Sequence, residues 1–262
     1  MRTVWAGTGN GGKLGSVIDM IRERAERQEN GYYAPECELC GGDGVLIQRD
    51  ANGRSYATPC SCGLLQKTQE RRLFEAAKIP RLPQPFTPCD AARAYIDRLP
   101  NAPKENNWII FTGKPGSGKT ANASWLTIEF IKRNNKGARF YNAFEIIRRG
   151  AMTKGDARDD LIDSVIGAPF VVFDDFLKTY PQRDSFQFDS FFETTLEMLW
   201  GRYDRKLPTV ITTQRNFKDL ATFDAALAGR IAESCRGSVV VFDRNARNWR
   251  LEPQAQTQEL LF

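Results

Sequence analysis

The chain has 262 residues, 41% of them apolar and 26% charged, and its Lys and Arg outnumber Asp and Glu by five. This composition is ordinary for a globular protein, holds no apolar run of the length a membrane helix needs, and carries too mild a basic excess to argue for nucleic acid by itself. Histidine is absent, so acid–base or metal chemistry falls to Asp, Glu, Lys or Cys. The beginning, MRTVWAGTGNGGKL, lacks an apolar secretory core, and the cytoplasm is the expected location.

Leu14, Val17, Ile18 and Ile21 recur at helical spacing before the run RERAERQEN, which predicts an amphipathic helix ending at Gly31. From Pro35 to Gly63, paired cysteines, glycines and the pieces GVLIQRD and RSYAT predict two hairpin arms around a metal. Cys37-x2-Cys40 and Cys60-x-Cys62 stand nineteen residues apart, each pair beside glycines, so two knuckles can offer four thiolates to one tetrahedral Zn2+. The second pair is C-x-C where C-x2-C is usual, which keeps a disulfide or free thiols as the alternative. With four protein ligands no position stays open for water, so such a zinc folds a binding surface and activates nothing. Cys89 and Cys235 are left unpaired. LLQKTQERRLFEAAKI reads as a helix, after which Pro80, Pro83, Pro85 and Pro88 break the pattern into a linker. The expected division is a helical and four-cysteine zinc-binding domain over 1–79, a linker and lead-in helix over 80–106, and a catalytic domain over 107–262.

Beyond the linker, the strands WIIFTG, ARFYNA, PFVVFDD, TVITT and SVVVF alternate with helical patterns: one from Lys119, one over FEIIRRGAM, a long one, and one after TVITT. That alternation predicts an α/β domain built on a parallel sheet. The polar EPQAQTQELLF tail predicts little order.

The first of these strands runs into Gly113-Lys114-Pro115-Gly116-Ser117-Gly118-Lys119-Thr120, with Ala121 continuing the helix. This G-x-x-x-x-G-K-[ST] loop binds ATP: Gly113, Gly116 and Gly118 let backbone amides approach phosphate, Lys119 reaches the β and γ phosphates, and the Thr120 hydroxyl ligates Mg2+. Phe170 to Phe173 lead into Asp174 and Asp175 at the carboxyl end of a buried strand, where open α/β sheets bind ligands. Asp174 is expected to hold Mg2+ through its water shell and Asp175 to orient or deprotonate the attacking water. A cap of the strand end is the plain alternative for both acids.

The strand TVITT, ending in Thr213 and Gln214, resembles the sensor 1 strand of AAA+ ATPases. There a polar side chain contacts the γ-phosphate or the lytic water; by position Gln214 matches first and Thr213 second, a strand cap being the alternative. DAALAGRIAE resembles the box that carries an arginine finger, which places Arg230 as a catalytic residue in trans, with Arg236 as rival and a surface ion pair to Glu233 or Asp224 as the bland reading. Some twenty residues follow SVVVF, too few for a complete lid domain.

The cysteine knuckles, proline-bearing linker, GKPGSGKT, FYNAFEIIRRG, VVFDDF, RYDRKLPTVITTQRN and LAGRIAE together resemble bacterial and phage helicase loaders of the DnaC/DnaI type, over residues 35 to 242. The resemblance implies an AAA+ core with sheet order 5-1-4-3-2, an amino-terminal domain that grips a replicative DnaB-type helicase, ATP-controlled binding of single-stranded DNA, and a homo-oligomer on the helicase. Gln214 stands where the family has Asn or Thr, and Asp175 where many AAA+ proteins have Glu, which implies slow hydrolysis. Rival readings are an IstB-type transposition helper on duplex DNA, a zinc-containing DNA-binding regulator with structural ATP, and a small-molecule P-loop kinase.

Overall fold

A computed structural model describes residues 37–101 and 106–242, so the expected helix over 14–30 and the residues after the last strand lie outside the described residues. The chain divides into two units, Met1–Gln69 and Glu70–Phe262.

In the first unit, β1 (Val45–Arg49) and β2 (Ser55–Pro59) form one antiparallel hairpin, where the sequence suggested two arms. The turn is closed by Asp50, whose Oδ1 accepts from the amides of Asn52 and Arg54 at 2.9 and 2.8 Å. Because the register pairs Val45 with Pro59, the start of β1 and the end of β2 lie side by side, and the Cys60 amide donates to the Gly44 carbonyl at 2.9 Å. Antiparallel pairing thus carries the two cysteine pairs, distant in sequence, to one end of the hairpin. Gly44 sits at a φ of 72°, and a Cβ there would lie 2.8 Å from the amide nitrogen of Leu65. Leu65 belongs to α1 (Leu64–Ala77), the helix predicted over this stretch.

The second unit is a five-stranded parallel sheet of β3 (Trp108–Gly113), β4 (Arg139–Asn142), β5 (Val171–Phe176), β6 (Thr209–Thr213) and β7 (Val239–Phe242), in spatial order β4-β5-β6-β3-β7. Counted within this sheet, the order is the 5-1-4-3-2 that the resemblance implies. Strand alternation splits the apolar runs between two cores. Ile109, Phe111, Val172 and Val210 face α2 (Asp90–Arg98) and α3 (Lys119–Asn134). Trp108, Ile110, Val171, Phe173 and Ile211 face a layer of α4 (Ala143–Met152), α5 (Asp156–Ile166), α6 (Phe188–Asp204), α7 (Phe217–Phe223) and α8 (Ala225–Ser234).

Two helices exceed the sequence expectation. In α5, the large apolar residues lie at Leu161, Ile162, Val165 and Ile166 behind a run of acids, so the helical period is too short to register until Ile162, Val165 and Ile166 meet the core. The one helix expected after TVITT is two, α7 and α8, because Asn216 and Asp224 each cap a new start: Asn216 Oδ1 accepts from Asp219 N at 2.9 Å, and Asp224 Oδ1 from Leu227 N at 2.6 Å. The stretch expected as linker and lead-in helix also contributes to the core, with Ala92, Tyr95 and Ile96 of α2 buried against the sheet.

Arg202 of α6 is fully buried, without a carboxylate partner among the described contacts. Its guanidinium donates to the carbonyls of Val165, Ile166, Ala168 and Pro208 at 2.9, 3.2, 2.8 and 2.6 Å, and to Thr209 Oγ1 at 2.9 Å. It gathers the end of α5 and the approaches to β5 and β6, and burial brings it down to about 9. Among the described residues no helix is long and apolar enough to cross a membrane.

Candidate functional site

Gly113 ends β3 beside Phe242 of β7, at a φ of 134°; a Cβ on it would lie 2.5 Å from the Phe242 carbonyl oxygen, so only glycine lets the loop leave the sheet here. Gly116 and Gly118 are left-handed, and Gly118 directly precedes Lys119, which opens α3; the first amides of a helix lack intrahelical acceptors and favour an anion. Ser117 braces the turn by donating to the Lys114 carbonyl at 2.9 Å. Lys119 is 6% exposed, and its Nζ donates to the carbonyls of Gly113 and Lys114 at 2.7 Å each, which holds the ammonium across the loop's mouth.

The carboxyl end of β5 stands beside this loop. Thr120 Oγ1 lies 3.0 and 3.2 Å from the two carboxylate oxygens of Asp174, and Thr212 Oγ1 donates to Asp174 Oδ1 at 2.5 Å. Burial pushes the Asp174 carboxyl above the usual carboxylate range, with the hydroxyls of Thr212 and Thr120 pulling it back. A divalent cation suits this pair: adjacent oxygens of an octahedral Mg2+ with bonds of about 2.1 Å are about 3.0 Å apart, the spacing of Thr120 Oγ1 and Asp174 Oδ1. Asp175 has a left-handed φ of 55°, its amide donates to Thr212 Oγ1 at 2.9 Å, and its Oδ2 pairs with Lys178 Nζ at 2.8 Å. Thr212 therefore organises both acids, a role the sequence reading missed. Its only signal was a second polar residue at the end of the strand carrying the sensor candidates.

The two sensor candidates part company. Thr213 is buried and gives its hydroxyl to the Phe176 carbonyl at 2.7 Å, whereas Gln214 lines the cleft. That cleft, of about 320 Å3, is also lined by Pro115, Gly116, Lys119, Thr120, Ala121 and Asp175, and by Pro80, Arg81 and Pro83 from the stretch read as linker. Its size is at the lower end for small-molecule sites. Arg230 does not line it: its guanidinium lies 4.3 Å from the Trp200 ring centroid and 5.7 Å from that of Tyr203, a cation–π stack between α8 and α6. Asp224 caps α8, and Glu233 accepts from the Tyr203 hydroxyl at 2.9 Å. Arg236 is exposed and also does not line the cleft.

In the first unit, the Sγ atoms of Cys37, Cys40, Cys60 and Cys62 all lie within 4.8 Å of one another, with Cys37–Cys60 and Cys40–Cys62 at 3.7 Å. A disulfide would bring sulfurs to about 2.05 Å. Four sulfurs at about 2.3 Å from one Zn2+ stand about 3.8 Å apart, so the donor set and its spacing fit a tetrahedral zinc. Burial opposes ionisation of Cys40, but the amides of Gly44 and Gly42 outweigh it and bring the thiol down to about 7. Cys60 accepts from the Cys62 amide, yet burial and the three neighbouring thiols push it up to about 11. Cys89 is half-buried before α2 and Cys235 fully buried in the core, both free thiols.

No protein-family model and no curated protein matches the chain. Among solved structures, it is similar to the DnaI structure, with 19% identity over 70% of this chain and 99% of that one at a TM-score of 0.46. It is similar to the DnaC helicase loader, with 19% identity over 66% and 99% at 0.43, and to AMPPCP-bound DnaA from Aquifex aeolicus, with 17% identity over 63% and 50% at 0.46.

Proposed function

We propose that this chain is an ATPase that binds Mg-ATP at the loop Gly113–Thr120 and uses it to load a replicative DnaB-type helicase onto single-stranded DNA. One observation carries the nucleotide reading: a buried lysine, a threonine hydroxyl and two strand-end acids converge at the carboxyl edge of a parallel sheet, beside the amino end of α3. The loader role adds the sequence resemblance and a cysteine unit suited to docking on a protein.

In this reading, phosphate replaces the Gly113 and Lys114 carbonyls as the acceptor for Lys119. Thr120 and Asp174 would hold Mg2+, which would supply positive charge to offset that of the phosphates. Asp175 orients the attacking water, and Gln214 binds that water or the terminal phosphate from the facing wall. Pro80, Arg81 and Pro83 close the side of the cleft left for the base. Arg230, held over the Trp200 ring, is presented to the nucleotide of a neighbouring copy in an assembly on the helicase, where a guanidinium stabilises the transferring charge. Cys37, Cys40, Cys60 and Cys62 hold a structural zinc, and the domain over 1–79 grips the helicase.

Titration with fluorescent ADP tests the nucleotide site: Lys119→Ala should lower affinity at least about a hundredfold, the loss of a buried charge-assisted contact. Unchanged affinity removes the reading. Native mass spectrometry with the helicase of the same cell or phage tests the loader role. An ATP-sensitive complex supports it, whereas no complex, with filaments on duplex DNA instead, favours the transposition helper.

A further inference from the structure

We infer that Lys178 is a second phosphate-binding cation of the cleft, parked on Asp175 and able to move to the terminal phosphate of a nucleoside triphosphate. The inference rests on the nucleotide reading above and names a residue to which neither the motifs nor the resemblance gives a role.

The pairing of β5 with β6 slips between Phe173 and Phe176, so the strand does not run straight past its two acids. Asp175 and Leu177 both take left-handed φ values, 55° and 56°, which non-glycine residues seldom adopt without a local reason. The Lys178 amide closes the turn onto the Asp175 carbonyl at 3.1 Å. This reversal brings Lys178 back over the strand end and sets its Nζ 2.8 Å from Asp175 Oδ2.

Both residues line the same cleft as Gly116, Lys119, Thr120 and Gln214. The two lysines there differ. Lys119 is buried and crosses the loop to main-chain carbonyls, while the Lys178 side chain is 46% exposed and its partner's 26%. An ion pair this open to water is weak and screened. A terminal phosphate offers more charge and three acceptor oxygens to the same ammonium, and a nucleoside diphosphate lacks that group. Exchange of Lys178 from carboxylate to phosphate therefore distinguishes triphosphate from diphosphate and at the same time releases Asp175 toward water.

The test is calorimetric titration of the full-length chain with Mg2+ and either AMPPCP or ADP. Lys178→Gln should weaken AMPPCP about tenfold and leave ADP within about twofold, and Lys178→Arg should restore most of the loss. Asp175→Asn, which frees the ammonium, should tighten AMPPCP a few-fold relative to ADP. Equal weakening of both nucleotides by Lys178→Gln, or no change in either, overturns the inference while leaving the nucleotide reading intact. A wild-type chain that binds neither nucleotide overturns both.

Discussion

The cysteine hairpin and the parallel sheet differ in what they bury. In the hairpin, both strands are five residues long and largely exposed, with Ile47 and Tyr56 facing solvent at 58% and 46%. Among the described residues, the buried side chains at its open end, opposite the turn, are thiols, Cys40 and Cys60. An isolated two-stranded hairpin is marginal in water. The sheet unit has two apolar cores and places its unusual chemistry, a buried arginine and two adjacent acids, at positions those cores already fix. Each kind of site finds its support differently: the proposed zinc would order a hairpin with few buried apolar side chains among the described residues, whereas the cleft residues stand on a packed core.

Zinc removal breaks this comparison most sharply. A structural zinc site is worth roughly 10–16 kcal/mol of apparent binding free energy, so a strong chelator should abolish hydrogen-exchange protection in residues 45–59 and leave the amides of Trp108–Gly113 protected. Elemental analysis should give about one zinc per chain beforehand. A hairpin that stays protected after chelation would mean it has another source of stability.

Arg202→Ala tests the other side. It leaves the carbonyls of Val165, Ile166, Ala168 and Pro208 without their donor inside a packed core, and the expected destabilisation is about 3–5 kcal/mol in denaturant unfolding. Zinc content should not change in this variant; if it falls with stability, the two units do not owe their order to separate causes.

The smallest effect concerns alkali. Burial pushes the Cys235 thiol well above its usual 9.0 and the Tyr95 phenol above its usual 10.0. Groups with raised folded values contribute stability that is full below the unfolded value and lost as pH climbs past it. Arg202 acts in the opposite sense, since its folded value of about 9 lies below 12.5, and it gains stability over the same range. Cys235→Ala should therefore flatten the fall of sheet stability between about pH 9 and 11, by about 1 kcal/mol per pH unit. Equal slopes in the two chains would show that the thiol ionises in the folded state.

Much of the sheet was legible because its strands are short apolar runs punctuated by glycine and acid. WIIFTG coincides with the observed β3, and PFVVFDD lies within two residues of β5 at either end. The loop Gly113–Thr120 and the pair Asp174, Asp175 were legible because phosphate chemistry demands particular residue types at fixed spacing. The cysteine quartet could be read from spacing alone, but its single hairpin could not, because the pairing of Val45 with Pro59 is a matter of register. Helix α5 escaped notice because its apolar face spans only its second half.

The amino-acid sequence by itself determined the phosphate loop, the two acids, the four thiols and the alternation that makes the sheet parallel, since each is a local pattern of residue types. Only the tertiary structure decided where each polar group lies and what it touches. It turned Thr213 into the core and Gln214 into the cleft, gave Thr212 to both acids, laid Arg230 on Trp200, brought Pro80 and Arg81 to the wall of the cleft and set Lys178 on Asp175. Those assignments depend on strand register, helix packing and two left-handed residues, which join positions that no local spacing connects.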